Sequence, residues 1–110
     1  MAKPVEVAEC GCAADARKAV AVDPDAKTRN LNRLKRIEGQ VRGLQRMVDG
    51  DRYCADILTQ LSSVQEALRA VGRELMRNHL RHCAAQAIRT GGTPAEEMYE
   101  ELVELMERHR

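Results

Sequence analysis

The feature that most constrains the fold is a stretch of 37 residues, 53–89, that contains no proline and a single glycine, Gly72. A helix of this length spans about 55 Å, far more than the diameter of a small domain. The rest of a 110-residue chain is too short to cover its apolar stripe, so we expect the helix to pair antiparallel with its copy in a second chain. The stripe recurs at alternating spacings of three and four, as in a helix bundle: Cys54, Ile57, Leu61, Val64, Leu68, Val71 and Leu75.

Two shorter helices are predicted on either side of the long one. Residues 27–48 are predicted as a helix from apolar side chains on one face: Leu31, Leu34, Ile37, Val41, Leu44 and Val48. A turn follows at residues 49–51, and the glycines at 91 and 92 end the long helix. The run Thr93-Pro94-Ala95-Glu96 predicts a third helix with Thr93 as its N-cap. The expected fold class is therefore all-α, with three helices in each protomer.

The N-terminal residues 1–26 show no consistent period and contain Pro4 and Pro24. We therefore expect a disordered tail, followed by an all-helical domain at 27–110. No apolar run of about 20 residues is present to cross a membrane, and no apolar secretion signal is found, which predicts a cytoplasmic protein. In a reducing compartment, the four cysteines are expected to be ligands or reactive thiols rather than disulfides.

Cys54, His79 and Cys83 are the candidate metal ligands. His79 and Cys83 are four residues apart on the long helix, so their side chains share a face. Cys54 lies 25 residues before His79, about 37 Å along a straight helix, and therefore meets the pair only across an antiparallel dimer. Two thiolates and one imidazole form a soft three-donor set that suits Cu(I). The alternative interpretation is two inert apolar cysteines and a hydrogen-bonded core histidine.

Arginines four residues apart follow the side of the long helix that is opposite to these donors. Together with basic residues of the first helix they predict a positive face, which an oligomer would repeat by symmetry along duplex DNA. The alternative is an ordinary solvated face in which Glu66 and Glu74 neighbour the arginines. The arginines of the two helices are Arg69, Arg73, Arg77 and Arg81, with Arg29, Arg33 and Arg36.

The chain resembles the CsoR/RcnR family of metal-responsive transcriptional repressors over about residues 28–105. This resemblance implies an antiparallel dimer with a four-helix-bundle core, assembled as a dimer-of-dimers tetramer. It also implies that the metal-free tetramer binds operator DNA and that the inducer releases it. The Cys/His/Cys pattern resembles the copper-sensing branch. The matching segments are Leu31-Asn32-Arg33-Leu34-Lys35-Arg36-Ile37-Glu38-Gly39-Gln40, Tyr53-Cys54 and His79-Leu80-x-x-Cys83.

The same resemblance implies roles for residues around the metal site and on the DNA surface. Tyr53 and Glu101, with Glu100 as the alternative glutamate, are implied to link His79 to the third helix. Where the family carries a basic residue at position 70, this chain has Ala70, so the DNA contacts of the long helix stay open. The implied and candidate DNA-binding residues are Arg33, Arg29, Arg36, Arg69 and Arg73.

These features predict a Cu(I)-responsive repressor of copper resistance genes, with operator double-stranded DNA and its own copies as partners. A nickel-responsive repressor of the same family and a copper-buffering protein are the alternatives. An enzyme is not expected, because no nucleophile, base and orienting group occur together. Cys10 and Cys12 in the tail are interpreted either as inert residues or as auxiliary copper ligands.

Overall fold

The computed structural model describes residues 17–109, and these contain helices and no strand. The elements are α1 (Pro24–Asp49), α2 (Cys54–Asn78), a π-helical segment (His79–Ala84), α3 (Ala85–Thr90) and α4 (Gly92–Arg108). The residues at both junctions of the π segment keep right-handed helical dihedrals, so α2, the π segment and α3 form one continuous rod, residues 54–90. The all-α class and the three helical rods are thereby confirmed.

The first helix begins earlier than the sequence predicts. Asp23 is its N-cap, and a side-chain oxygen of Asp23 accepts a hydrogen bond of 3.1 Å from the amide of Asp25. Pro24 occupies the first helical position, where its missing N–H costs nothing. This cap moves the start of α1 from about Lys27 to Pro24, inside the segment expected to be a tail. Residues 17–22 precede the cap without forming a helix.

Gly91 ends the long rod as expected. Its φ of 77° lies in the left-handed region that suits glycine, and its amide donates to the carbonyls of Ala87 and Ile88. The prediction that Thr93 caps the third helix is wrong. The helix α4 starts at Gly92, its N-cap is Gly91, and no side chain caps it. Gly92 also has a positive φ, of 59°, so the glycine pair turns the chain into α4 before Thr93 is reached.

The core lies between α1 and α2. Ile37 of α1 and Val64 and Val71 of α2 are buried together, and Leu44 and Ala67 pack against them. Val64 and Val71 are seven residues apart, so they occupy the same face of α2 two turns apart. This face, which we call the covered stripe, accounts for only part of the apolar repeat of the long helix.

The rest of that repeat faces away from the core. Leu61, Leu68 and Leu75 are 39%, 47% and 58% exposed, and Cys54, seven residues before Leu61, is exposed as well. We call these four residues the open stripe. The sequence predicts that all the apolar residues of the repeat form one packing surface. In the structure they form two stripes, and within each stripe successive residues are seven positions apart. None of the described helices is both long and apolar enough to cross a membrane.

Candidate metal centre and nucleic-acid interface

His79 and Cys83 both lie in the π-helical segment of the long rod. A π-helical turn is wider than an α-helical turn because its hydrogen bonds span five residues instead of four. Here the amide of Ala85 donates to the carbonyl of Leu80, five residues earlier. Such π turns are rare and occur frequently at functional sites, because they reorient a side chain without breaking the helix. The sequence predicts an ordinary helix here, and no residue pattern in it signals the change of hydrogen bonding.

His79 contacts the last helix. Its Nε2 atom is buried and lies 3.0 Å from Oε2 of Glu101 on α4. The contact is short, but its angle is poor for a hydrogen bond, so Nε2 has no aligned partner. Of the two glutamates that the resemblance leaves open, the structure brings Glu101 to His79, while Glu100 is exposed. With Nε2 facing a carboxylate, Nδ1 is the ring nitrogen left for a metal.

Cys83 is half-buried and carries a free thiol. Its Sγ atom accepts a hydrogen bond of 3.4 Å from the backbone amide of Val20, in the segment before α1. Thiolate sulfur and neutral imidazole are ligands that soft metals such as Cu(I) prefer, so the donor chemistry of His79 and Cys83 fits that ion. The pair supplies two donors from one helix face.

Cys54 and Tyr53 lie at the opposite end of the rod. Cys54 is the first residue of α2, Tyr53 is its N-cap, and the side chain of Tyr53 is 74% exposed. Among residues 17–109 of a single chain, no three His, Cys, Asp or Glu side chains come together as a metal site. The structure places His79 and Cys83 in one helical segment and brings Glu101 to His79, but it leaves Cys54 and Tyr53 at the far end of the rod. Cys10 and Cys12 lie outside the described residues.

Glutamates pair with three of the four candidate arginines of the long rod, and Arg81 has no carboxylate partner among the described residues. Glu66 lies 3.2 Å from Arg69 and 3.6 Å from Arg73. Glu74 lies 2.9 Å from Arg77 and 3.5 Å from Arg29 of α1, and so joins the two helices. The alternative interpretation of the sequence is a solvated face in which Glu66 and Glu74 neighbour the arginines, and the structure shows both glutamates paired with them. Exposed pairs of this kind stabilise a fold by less than about 1 kcal/mol each, so they restrict the arginines more than they hold the helices.

Arg33 and Arg36 of α1 have no carboxylate partner among the described residues. They line a shallow cleft between α1 and α2 that also includes Ala70 and Glu66. Ala70, where the family resemblance implies a basic residue, therefore contributes a small side chain to the lining of this cleft. Arg69 and Arg73, which pair with Glu66, border the same region. Of the five DNA-binding candidates, two have no carboxylate partner, Arg33 and Arg36. Arg69 and Arg73 share Glu66, and Arg29 pairs with Glu74.

This arrangement, a Cys/His pair on an all-helical scaffold with basic residues along two helices, agrees with a comparison against known families. Residues 26–108 match the family of metal-sensitive transcriptional repressors. The match covers more than half of the chain, and the chain belongs to this family, as its resemblance to CsoR and RcnR implies.

The relatives of the chain include copper sensors. It is 49% identical over 82 residues to the copper-sensing transcriptional repressor CsoR of Bacillus subtilis, covering 74% of this chain and 79% of that one. It is 49% identical over 70 residues to the copper-sensing repressor RicR of Mycobacterium tuberculosis, covering 64% and 73%. The crystal structure of CsoR with Cu(I) from Geobacillus thermodenitrificans superposes with a TM-score of 0.73 at 42% identity, over 84% of this chain and 96% of that chain.

Proposed function

We propose that this protein is a Cu(I)-responsive transcriptional repressor of the cytoplasm. Metal-free, it binds operator double-stranded DNA, and Cu(I) bound by Cys54, His79 and Cys83 releases it, so that copper resistance genes are expressed. The observation that carries the proposal is the half-site in the π segment, where one thiol and one imidazole share a face beside Glu101. The relatives named as copper sensors support the choice of ion. The proposed activity is ligand-controlled binding, and no reaction is catalysed.

The third ligand comes from a second chain in this proposal. The open stripe begins at Cys54 and runs through Leu61, Leu68 and Leu75 towards the half-site, and all four residues are exposed in the single chain. Two copies packed antiparallel along this stripe bury its leucines and set Cys54 of each chain beside His79 and Cys83 of the other. The dimer then contains two equivalent sites, and a pair of dimers forms the tetramer.

In this proposal, the protein's own residues couple the metal site to the last helix, α4. One ring nitrogen of His79, Nδ1, is proposed to bind the metal. The other, Nε2, lies 3.0 Å from Oε2 of Glu101 on α4. A carboxylate that faces the second nitrogen of a histidine ligand fixes the ring and raises its basicity. Any change in His79 therefore moves or restrains α4, and Tyr53 is proposed to complete this contact. Coupling free energies of about 1–3 kcal/mol are typical between two binding sites.

DNA binding is assigned to the arginines of α1 and α2. Arg33 and Arg36 are unpaired and would contact phosphates directly, whereas Arg29, Arg69 and Arg73 must first leave Glu74 or Glu66. Because the contacts are to the backbone of DNA, affinity is expected to fall steeply with added salt. The copper-buffering alternative would use the same thiols but would give no DNA mobility shift.

A complementation experiment tests the intersubunit site. Cys54→Ser and Cys83→Ser are each expected to lose Cu(I) affinity by more than the roughly 100-fold upper range for outer contacts, because a ligand itself is removed. Co-expressed with different tags and purified as a mixed dimer, the two variants should regain half of the high-affinity sites. In that dimer one site has both cysteines and the other has neither.

The controls separate this arrangement from a site within one chain. Wild-type chains that carry the same two tags, co-expressed and purified in the same way, should give the full number of high-affinity Cu(I) sites. Each variant purified alone should give none. If the ligands came from one chain, the mixed dimer would also bind none, because every chain lacks one cysteine. A mobility-shift titration of the wild-type complex with operator DNA then asks whether Cu(I), and not Ni(II), dissociates it.

A further inference from the structure

The segment before α1 is fastened to the long rod beside the candidate metal ligands. The side-chain amide of Asn78 donates to the carbonyl of Ala21 at 2.9 Å, and its oxygen accepts from the amide of Asp23 at 3.2 Å. Five residues further along the rod, Sγ of Cys83 accepts from the amide of Val20. We call residues 20–23 the N-terminal strap. Three hydrogen bonds thus hold three of its four residues.

Asn78 is a polar residue at the end of an apolar row. It stands seven residues after Val71 and fourteen after Val64, so it continues the covered stripe that packs against α1. It is half-buried, and both ends of its amide are used by the backbone of the strap. Residues 20–23 are exposed, so water competes for their backbone groups, and the side chain of Asn78 provides two of these groups with a partner on the rod.

The strap ends at the cap of the DNA-contacting helix. The amide of Asp23 donates to the side-chain oxygen of Asn78, and the Asp23 side chain caps α1. Its carbonyl accepts a hydrogen bond of 3.0 Å from the amide of Lys27. One turn before Asn78, Glu74 holds Arg29 of the same helix. The start of α1 is therefore fixed to the rod at points that lie between Glu74 and Cys83.

We propose that Asn78 is a positioning residue that couples the metal site to α1 through the strap. Groups that bond a metal ligand orient it, and the ligand in turn orients them. When Cys83 is fixed by coordination, the amide of Val20 is fixed with it, and Asn78 and Asp23 carry this restraint to the helix of Arg29, Arg33 and Arg36. This route is separate from the His79–Glu101 contact, and it rests on the proposed function.

The first measurement needs neither copper nor DNA. Trypsin cleavage after Lys18, two residues before the strap, reports how often the strap detaches from the metal-free protein. Asn78→Ala removes two neutral hydrogen bonds, each worth a factor of about two to ten, so cleavage should be roughly tenfold faster. Gln86→Ala, which truncates an exposed amide on the same rod, is the matched control and should cleave at the wild-type rate.

The second measurement uses a variant that leaves Asn78 intact. Val20→Pro removes the N–H that bonds Cys83 and fixes φ at this position, a restraint that the proline control below also introduces nearby. Val20 is 56% exposed and lies outside the helices, so folding should be preserved. Loss of such an outer contact lowers metal affinity by about tenfold or more, which a competition titration with a Cu(I) chelator detects. Ala19→Pro is the control, because the amide of Ala19 donates no hydrogen bond among the described residues, and the Cu(I) affinity of this variant should match wild type.

The third measurement is the ratio of DNA affinities with and without Cu(I). In wild type this ratio is expected within the range of about 5–150 typical of coupled sites. It should fall several-fold in Asn78→Ala and in Val20→Pro but not in the two controls. A ratio near one in wild type would overturn the proposed function itself. A wild-type ratio retained in both strap variants, or cleavage of Asn78→Ala at the rate of Gln86→Ala, would overturn the role of Asn78 alone.

Discussion

The two ends of the long rod differ in how much of a binding site each one contains. At the C-terminal end, the helix widens into a π turn, His79 meets Glu101, and Cys83 bonds the strap. At the N-terminal end, Tyr53 and Cys54 are exposed and start an ordinary α-helix. One end is therefore organised within the chain, and the other is left exposed. The difference is what the proposed function predicts, because in that proposal a second chain completes the metal site.

The largest expected effect comes from separating the two ends. Leu68→Glu places a charge at the middle of the open stripe, where an antiparallel pair would bury it beside its own copy. A buried charge without a partner costs about 3–5 kcal/mol, so the chain should become monomeric in analytical ultracentrifugation and lose high-affinity Cu(I) binding. Ser62→Glu adds the same charge at an exposed position outside the stripe and should leave the oligomer intact. A dimeric Leu68→Glu protein would show that the stripe is not the interface.

An intermediate effect is expected at the organised end. Glu101→Gln keeps the size of the side chain but removes the carboxylate that faces His79. Outer contacts of this kind change metal affinity or its consequences by about 10–100-fold. DNA release by Cu(I), followed by fluorescence anisotropy, should need correspondingly more metal. Glu100→Gln, an exposed neighbour, is the matched control, and equal behaviour of the two variants would remove Glu101 from the coupling.

The smallest effect is expected at the exposed end. Tyr53→Phe removes one hydroxyl, and a single hydrogen bond is worth about 0.5–1.5 kcal/mol, so the affinity ratio for DNA with and without Cu(I) should fall about two- to tenfold. The thermal midpoint of the metal-free protein should not change, because the Tyr53 side chain is 74% exposed in the single chain. Tyr99→Phe, at the other tyrosine, should leave the ratio unaltered. An unchanged ratio in Tyr53→Phe would place its hydroxyl outside the contact.

The fold could be predicted from the sequence because its signals are local. The long helix follows from a proline-free apolar repeat, and its end follows from Gly91, whose left-handed φ is the reason for a glycine there. The Thr93 cap failed because the two glycines had already turned the chain. The repeat also does not show which of its apolar residues pack against α1. Leu68 and Val71 are both apolar, and only the packing in the structure distinguishes them.

The candidate site was predictable in its residues but not in its geometry. Spacing alone pairs His79 with Cys83, and the family resemblance identified Glu101, which the structure brings to His79. The π turn has no signature in the residue types, because it is a choice of hydrogen-bond partner within a helix. The strap was also missed, since Asn78 is a single polar residue whose partners are backbone atoms more than fifty positions earlier in the chain.

The pairing of arginines with Glu66 and Glu74 has a consequence for how the protein moves among competing polyanions in a cell. Each phosphate that attracts Arg69, Arg73 or Arg29 must displace a carboxylate already in place. The formal net charge of the whole chain is only +1, so we expect its non-specific attraction to ribosomes, messenger RNA and bulk chromosome to be weak. Under the proposed function, unbound molecules would then be available to find the few DNA sites whose shape favours the exchange of carboxylate for phosphate.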